Sequence, residues 1–232
     1  HLSMNIIPSL PNVLDREKCF RVFPWRRCLN DAPAIFRELA GVQWEDPMVK
    51  RDTIDVARTV ADRLLYAVLS RFRVALQQWH NGADNAADVK KYARCALKLE
   101  EALTDTLALH TDYSLWESYV RLNEVEQVRN PDFPRVLMEN AINDYCIGYQ
   151  YEVAKWCLTS VLADTVKAVD ELMATNDRKV LLDIRRYDYR NWMLGTPLKA
   201  LAPTLPRTAA NYRATMLKLA AAAEIVCPHQ PD

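Results

Sequence analysis

Apolar side chains recur every three or four residues between Arg51 and His80, and this spacing predicts a long amphipathic helix. The apolar positions are Ile54, Ala57, Ala61, Leu64, Leu65, Val68, Phe72, Ala75, Leu76 and Trp79. Oppositely charged side chains recur at similar intervals on the other flank, where they can pair along the helix. Asn81-Gly82 is a typical helix terminator. An apolar stripe of this length requires cover from neighbouring helices.

The same helical spacing returns along most of the chain. Asp84 is a suitable cap for a second long helix that continues to His110, and two long helices joined by a few residues are expected to pack antiparallel. Further helices are predicted over residues 111–130, 134–175 with a kink or break near Gly148, 180–195 and 208–226. No stretch shows strand alternation. The sequence therefore predicts an all-α fold, a bundle of about six to eight helices built on the long antiparallel pair.

Proline spacing and helical spacing together divide the chain into four parts. Residues 1–30 are predicted to be an irregular, apolar N-terminal arm, with aromatic side chains between Phe20 and Trp25. Residues 31–195 are predicted to form the core of the helical bundle. Residues 196–207 contain three prolines and are the best candidate for a linker. Residues 208–227 are expected to form a C-terminal helix that packs on the core.

Charge and hydropathy argue against two classes of partner. The chain of 232 residues has 30 Lys and Arg against 30 Asp and Glu, so no net charge attracts it to nucleic acid. No run approaches the roughly 20 apolar residues that span a bilayer, so no membrane partner is expected. The first residues lack a basic region followed by an apolar core, and no signal peptide is predicted. The compartment stays open.

The residues that usually bind metals, cofactors or phosphate show no recognisable spacing. The six cysteines form no Cys-x-x-Cys and are expected to be free, mostly buried thiols, with a disulfide framework as the less favoured alternative. The four glycines stand alone, which excludes a glycine-rich phosphate loop. The four histidines form no pair with metal-ligand spacing on one helix face. We therefore predict neither a metal site nor a cofactor.

Carboxylates and aromatic side chains are the remaining candidates for chemistry. Acidic pairs such as Glu100-Glu101 are expected on solvated helix faces, as ordinary surface charge and not as catalytic pairs across a cleft. Tyr145, Tyr149 and Trp156 fall on one side of a helix if that helix runs unbroken through Gly148. They are candidate ligand-binding residues whose rings could stack on a sugar. Packing in the core is the more common role for aromatics at helical spacing.

Several stretches resemble the helical C-terminal domain of the α-N-acetylglucosaminidases, a family of glycoside hydrolases. The first is Arg-Asp-Thr-Ile-Asp-Val-Ala-Arg-Thr at residues 51–59, and Asp52, Asp55 and Arg58 are its signature. The others are the leucine-rich stretch 97–111, Glu-Asn-Ala at 139–141 and Tyr-Glu-Val-Ala-Lys-Trp at 151–156. The resemblance covers about residues 33–172.

The resemblance implies an all-α accessory domain, because the catalytic carboxylates of those enzymes belong to a preceding barrel domain. It implies that the chain is not catalytic alone, and that its partner is a barrel hydrolysing terminal α-linked N-acetylglucosamine, with a glycan as a further candidate ligand. Members of that family are lysosomal or secreted. The alternative is a stand-alone helical module that binds another protein in a groove between helices. A third, weaker possibility is an all-α enzyme with a site around Tyr145, Tyr149 or Trp156. Asp52, Asp55 and Arg58 are expected to be structural.

Overall fold

The computed structural model describes residues 29–126, 132–143, 150–183 and 195–227. Over these residues the chain is all-α, as the apolar spacing predicts, and it contains no strand. Seven helices follow one another. They are α1 (Ala32–Ala40), α2 (Pro47–His80), α3 (Ala86–Ala108), α4 (Leu115–Glu126), α5 (Phe133–Asn143), α6 and α7 (Ala209–Glu224). Helix α6 is continuous over Tyr151–Val153, a π-helical segment Ala154–Leu158, and Thr159–Thr175.

Helix α2 begins at Pro47, four residues before the start predicted at Arg51. Asp46 is the N-cap, and its carboxylate accepts hydrogen bonds from the amides of Met48 (2.8 Å) and Val49 (3.4 Å). Pro47 occupies the first helical position, where its missing N–H costs nothing. Gly82 turns the chain after the helix with a φ of +95°, in the left-handed region that favours glycine.

The long helices α2 and α3 form the predicted antiparallel pair. At one end of the pair, the Asn85 side chain donates to the carbonyl of Ala75 (3.0 Å). At the other end, the Arg51 side chain reaches Asp112, just beyond α3. The prediction that Asp84 caps α3 is wrong, because the N-cap position is held by Asn85. The main core lies along this pair, where Ile54, Leu64, Leu65, Phe72, Leu76 and Leu99 are almost completely buried.

Helix α7 completes the core by packing on α1 and α3. Its Tyr212 stacks on Trp44 with 4.2 Å between ring centroids, and the Tyr212 hydroxyl donates to the carbonyl of Leu109 (2.6 Å). Arg37 of α1 forms an ion pair with Glu224 near the other end of α7. Contacts at both ends therefore fix α7 to the bundle.

A second, smaller apolar cluster lies at the start of α4. It contains Leu115, Met138, Val153, Cys157, Leu198 and Leu201. The last two residues belong to a short 3₁₀ helix (Leu198–Leu201) inside the predicted linker, so part of that segment packs on the bundle. Arg207, at the end of the segment, donates to the carbonyl of Ala108 (3.1 Å).

The structure tests only some of the remaining predictions about the chain. The break expected near Gly148 and residues 1–28 of the predicted N-terminal arm lie outside the described residues, while residues 29–30, predicted to be irregular, are helical. Helix α6 ends where Asn176 adopts a left-handed conformation, with φ 56°, and its amide caps the carbonyl of Leu172 (2.8 Å). Cys95, Cys157 and Cys227 are free and buried, which confirms the thiol prediction for these three.

Candidate functional site

Of the three aromatic residues predicted to bind a ligand, the structure describes only Trp156. Tyr145 and Tyr149 lie outside the described residues, so their convergence with Trp156 stays a prediction. The Trp156 side chain is 41% exposed, although tryptophan is a residue that proteins usually bury to a large extent. Core packing, the more common role for such a residue, is therefore not the role of Trp156.

The π-helical segment of α6 contains this tryptophan. The hydroxyl of Thr159 donates to the carbonyl of Ala154, five residues earlier, at 3.0 Å. The same hydroxyl lies 3.4 Å from that of Thr104 on α3, and these contacts hold the widened turn against the bundle. Within the segment Cys157 is buried while Lys155 and Trp156 face solvent. Single π turns in α-helices often occur at functional sites, so this segment is a candidate.

A cleft of about 440 Å³ adjoins the segment, between α3, α6 and α7. Its apolar lining is made of small or short side chains: Ala102, Ala221, Ala222 and Ile225. Five charged side chains also line it: Lys98, Glu101 and Asp105 from α3, Lys155 from α6, and Lys218 from α7. Helices that are far apart in sequence therefore bring three lysines and two carboxylates to one depression.

The charges in the cleft are only partly neutralised by each other. Lys218 Nζ lies 2.8 Å from a carboxylate oxygen of Asp105, a direct ion pair. No carboxylate of the described residues lies within 4.0 Å of the Lys98 or Lys155 ammonium group. The cleft therefore has a small excess of positive charge, with two ammonium groups open to an incoming carboxylate.

Two of the three signature residues take part in one polar network. The Asp55 carboxylate accepts hydrogen bonds from Arg58 Nη2 (2.6 Å) and from the Tyr113 hydroxyl (2.7 Å). The Arg58 guanidinium lies 5.6 Å from the centre of the Tyr113 ring. Partial burial is the largest single influence and pushes the pKa of Asp55 upward, but these two hydrogen bonds together with the charges of Arg58 and Arg51 outweigh it, and its pKa lies below the ordinary value of 3.8. Asp52, the third signature residue, is exposed.

Asp112 extends this polar network toward α4. Its carboxylate accepts hydrogen bonds from Arg51 Nε and Arg121 Nη2, both at 2.9 Å. Next to it, His110 Nδ1 accepts the Asp112 backbone N–H (3.2 Å), and burial lowers the pKa of this imidazole. Every carboxylate in the network is engaged by donors from α2, α4 or the turn between α3 and α4. The network therefore joins three parts of the bundle, and the structural role of Asp55 and Arg58 stays a prediction.

A buried carboxylate that sequence reasoning missed lies at the start of α4. Glu152 of α6 is 0% exposed and accepts hydrogen bonds from the Ser114 hydroxyl (2.7 Å) and from the amides of Leu115 (2.9 Å) and Trp116 (3.1 Å). It therefore caps a helix that begins 37 residues earlier in the sequence. Glu152 stands inside the resemblance stretch 151–156, which was the only signal available in the sequence.

The prediction that Glu100 lies on a solvated face is wrong. Glu101 does face solvent, but Glu100 is 1% exposed and belongs to the core. Helices α2, α6 and α7 all pack on α3 and bury a wider arc of it than one neighbour would. The apolar stripe read from the sequence marks only the arc of α3 that one neighbouring helix would bury. Glu100 lies at the edge of that stripe and is buried by the additional helices.

The described part of the chain contains no group of three or more histidine, cysteine or acidic side chains placed to hold a metal ion. Among its helices, none is long and apolar enough to cross a membrane. Comparisons of the chain with protein-family models, curated proteins and solved structures gave no match.

Proposed function

We propose that this chain is a helical accessory domain that binds its partner through the cleft between α3, α6 and α7 and does not catalyse a reaction alone. The observation that supports this proposal is the combination of an apolar lining, two lysines with no carboxylate partner among the described residues, and the exposed Trp156 on the neighbouring π turn. The resemblance to the α-N-acetylglucosaminidases suggests the partner, a glycosidase barrel that hydrolyses terminal α-linked N-acetylglucosamine.

The chemistry of the cleft suits a protein surface. Alanines in the floor let another backbone approach closely, and the lysine stems add apolar area while their ammonium groups stay in water. Tryptophan is enriched among the residues that dominate binding energy, and its truncation at an interface typically costs about 2 kcal/mol or more. We therefore infer that the exposed Trp156, next in sequence to Lys155 of the cleft, anchors an acidic segment of the barrel.

Isothermal titration of the chain with an isolated α-N-acetylglucosaminidase barrel tests the proposal. We expect saturable binding that weakens at least tenfold in Trp156→Ala and in Lys155→Glu. Lys199→Glu is the matched control, because Lys199 is also exposed but does not line the cleft. Equal binding by all four proteins would exclude the cleft, and hydrolysis of a terminal α-linked N-acetylglucosaminide by the isolated chain would contradict the accessory role.

The second candidate is a stand-alone interaction module that uses the same cleft for a separate protein. The charged rim favours it, because such a rim remains solvated when a partner leaves and is typical of interfaces that form and dissociate. The titration separates the two candidates. No binding to the barrel, together with an intact fold, would reject the accessory domain and leave the module. A soluble glycan that binds with the same dependence on Trp156 would instead identify a sugar surface.

A further inference from the structure

Glu100 is a carboxyl group placed in the core of the bundle without a hydrogen-bond partner. It lies in the middle of α3, its exposed fraction is 1%, and neither carboxylate oxygen meets a donor within the described residues. Its neighbours along α3, Ala96, Leu99 and Leu103, are buried apolar residues. An ionised carboxylate here has lost its hydration and accepts no hydrogen bond from the described residues in its place, which makes the ionised form costly.

The charged groups around Glu100 add to that cost. Asp62 of α2 is itself 5% exposed, and its charge acts on Glu100 in the unfavourable direction. Of the groups on the other described helices that pack on α3, none contributes a charge that offsets the burial of Glu100. Glu100 thus faces a like charge across the interface between α2 and α3.

We propose that Glu100, buried in the core of the long helix pair with no hydrogen-bond donor among the described residues, is a pH-sensitive element of the fold, which tightens the pair when protonated and loosens it when ionised. Loss of the proton leaves a charged carboxylate in the core, where neither of its oxygens meets a donor from the described residues. The α2–α3 pair is the centre of the core, so this loosening is transmitted to every helix that packs on it.

The direction of the pH effect follows from linkage. Burial, followed by the charge of Asp62, raises the pKa of Glu100 from 4.5 to about 8. The folded chain therefore retains a proton that the unfolded chain has already lost at neutral pH. The stabilisation that Glu100 contributes is complete below about pH 4.5, falls as the pH rises, and is lost above about pH 8. Between pH 7 and pH 9 the ratio of folded to unfolded chain is expected to fall about tenfold from this group.

Amide hydrogen exchange at pH 7 and pH 9, corrected for the intrinsic rate of each amide, tests the proposal. We expect protection of the slowest amides in α2 and α3 to fall about tenfold in the native chain. Glu100→Gln is expected to abolish most of that fall, because its amide has the size of the acid and does not ionise. Glu101→Gln is the control, since its side chain faces solvent, and it should behave like the native chain.

The outcome that overturns the proposal is a fall in protection that Glu100→Gln leaves unchanged, or no fall in the native chain. Glu100→Leu provides an independent variant should the glutamine leave its own amide unsatisfied and prevent folding. It removes both the charge and the polar atoms, and it should give pH-independent protection in α3. An infrared titration of the native chain supplies a further readout. The protonated carboxyl band should persist at pH 6 and disappear by pH 9, and its absence at pH 6 would refute the proposal.

Discussion

Replacing Glu152 is the sharpest test of how helix α6 is joined to the start of α4. Its carboxylate is the acceptor for two backbone amides and one hydroxyl at the start of α4, and all three contacts are within 3.1 Å. Ser114 and Leu115, which supply two of the donors, are themselves buried. Water therefore has no easy access to replace the lost acceptor in Glu152→Ala.

The expected cost follows from these contacts. A buried donor left without an acceptor costs about 1–3 kcal/mol, and the amides of Leu115 and Trp116 both lose theirs. The Ser114 hydroxyl is able to rotate, so its contribution is smaller. We expect Glu152→Ala to reduce the free energy of unfolding by about 3–5 kcal/mol, a large fraction of the roughly 5–15 kcal/mol typical of a folded domain. Glu152→Gln retains one acceptor oxygen and should cost about 1–2 kcal/mol.

Urea unfolding followed by tryptophan fluorescence measures both costs, and Trp116 lies next to the altered site. Glu171→Ala is the control, because Glu171 is exposed on the same helix, and its cost should stay within about 0.5 kcal/mol. Hydrogen exchange adds local resolution, since the amides of Leu115 and Trp116 should lose protection first in Glu152→Ala. A cost below about 1 kcal/mol with unchanged protection of these amides would show that Glu152 does not cap α4.

The polar network around Asp55 and Asp112 gives further predictions. Tyr113→Phe removes the 2.7 Å hydrogen bond to Asp55 and should reduce stability by about 1 kcal/mol while raising the pKa of Asp55, measured by urea unfolding and by carboxyl NMR titration; an unchanged pKa would contradict the assigned bond. Asp112→Asn should cost about 1 kcal/mol or less at low salt and almost nothing at high salt, because the paired Arg51 and Arg121 are about half exposed. Both carboxyl groups have a pKa below 3.8, so their stabilisation is complete above that pH and is lost as the pH falls through the lower folded values. Acid unfolding of Tyr113→Phe should therefore begin at a higher pH than that of the native chain.

The buried faces of the long helices were predictable because they depend on local spacing. Ile54, Leu64 and Leu76 were assigned to the stripe of α2 from the sequence, and each is at most 1% exposed. The antiparallel arrangement of α2 and α3 followed from the short connection after Asn81-Gly82. The start of α2 was missed by four residues, since Asp46 and Pro47 begin the helix before any apolar residue reaches the core.

The candidate site was predictable only as separate residues. Trp156 and Lys155 stand next to each other in the sequence, but nothing local shows that Lys98 and Lys218 share a cleft with Lys155. The same limit applies to Tyr113, whose hydroxyl meets Asp55 across 58 positions of the sequence. Such pairs depend on the rotation and axial offset of one helix against another, which the spacing of a single helix does not specify.

The sequence by itself determined that this protein is an all-α bundle and which faces of its long helices turn inward, because periodicity and chain terminators act within a few residues. The tertiary structure decided which charged residues are buried and which are exposed. Adjacent residues Glu100 and Glu101 differ completely, one buried beside Asp62 and the other at the rim of the cleft. Glu152 became the cap of a helix that precedes it. The physical reason is that the cost of a charge depends on the burial and donors supplied by other helices, and those contacts arise only when the helices pack.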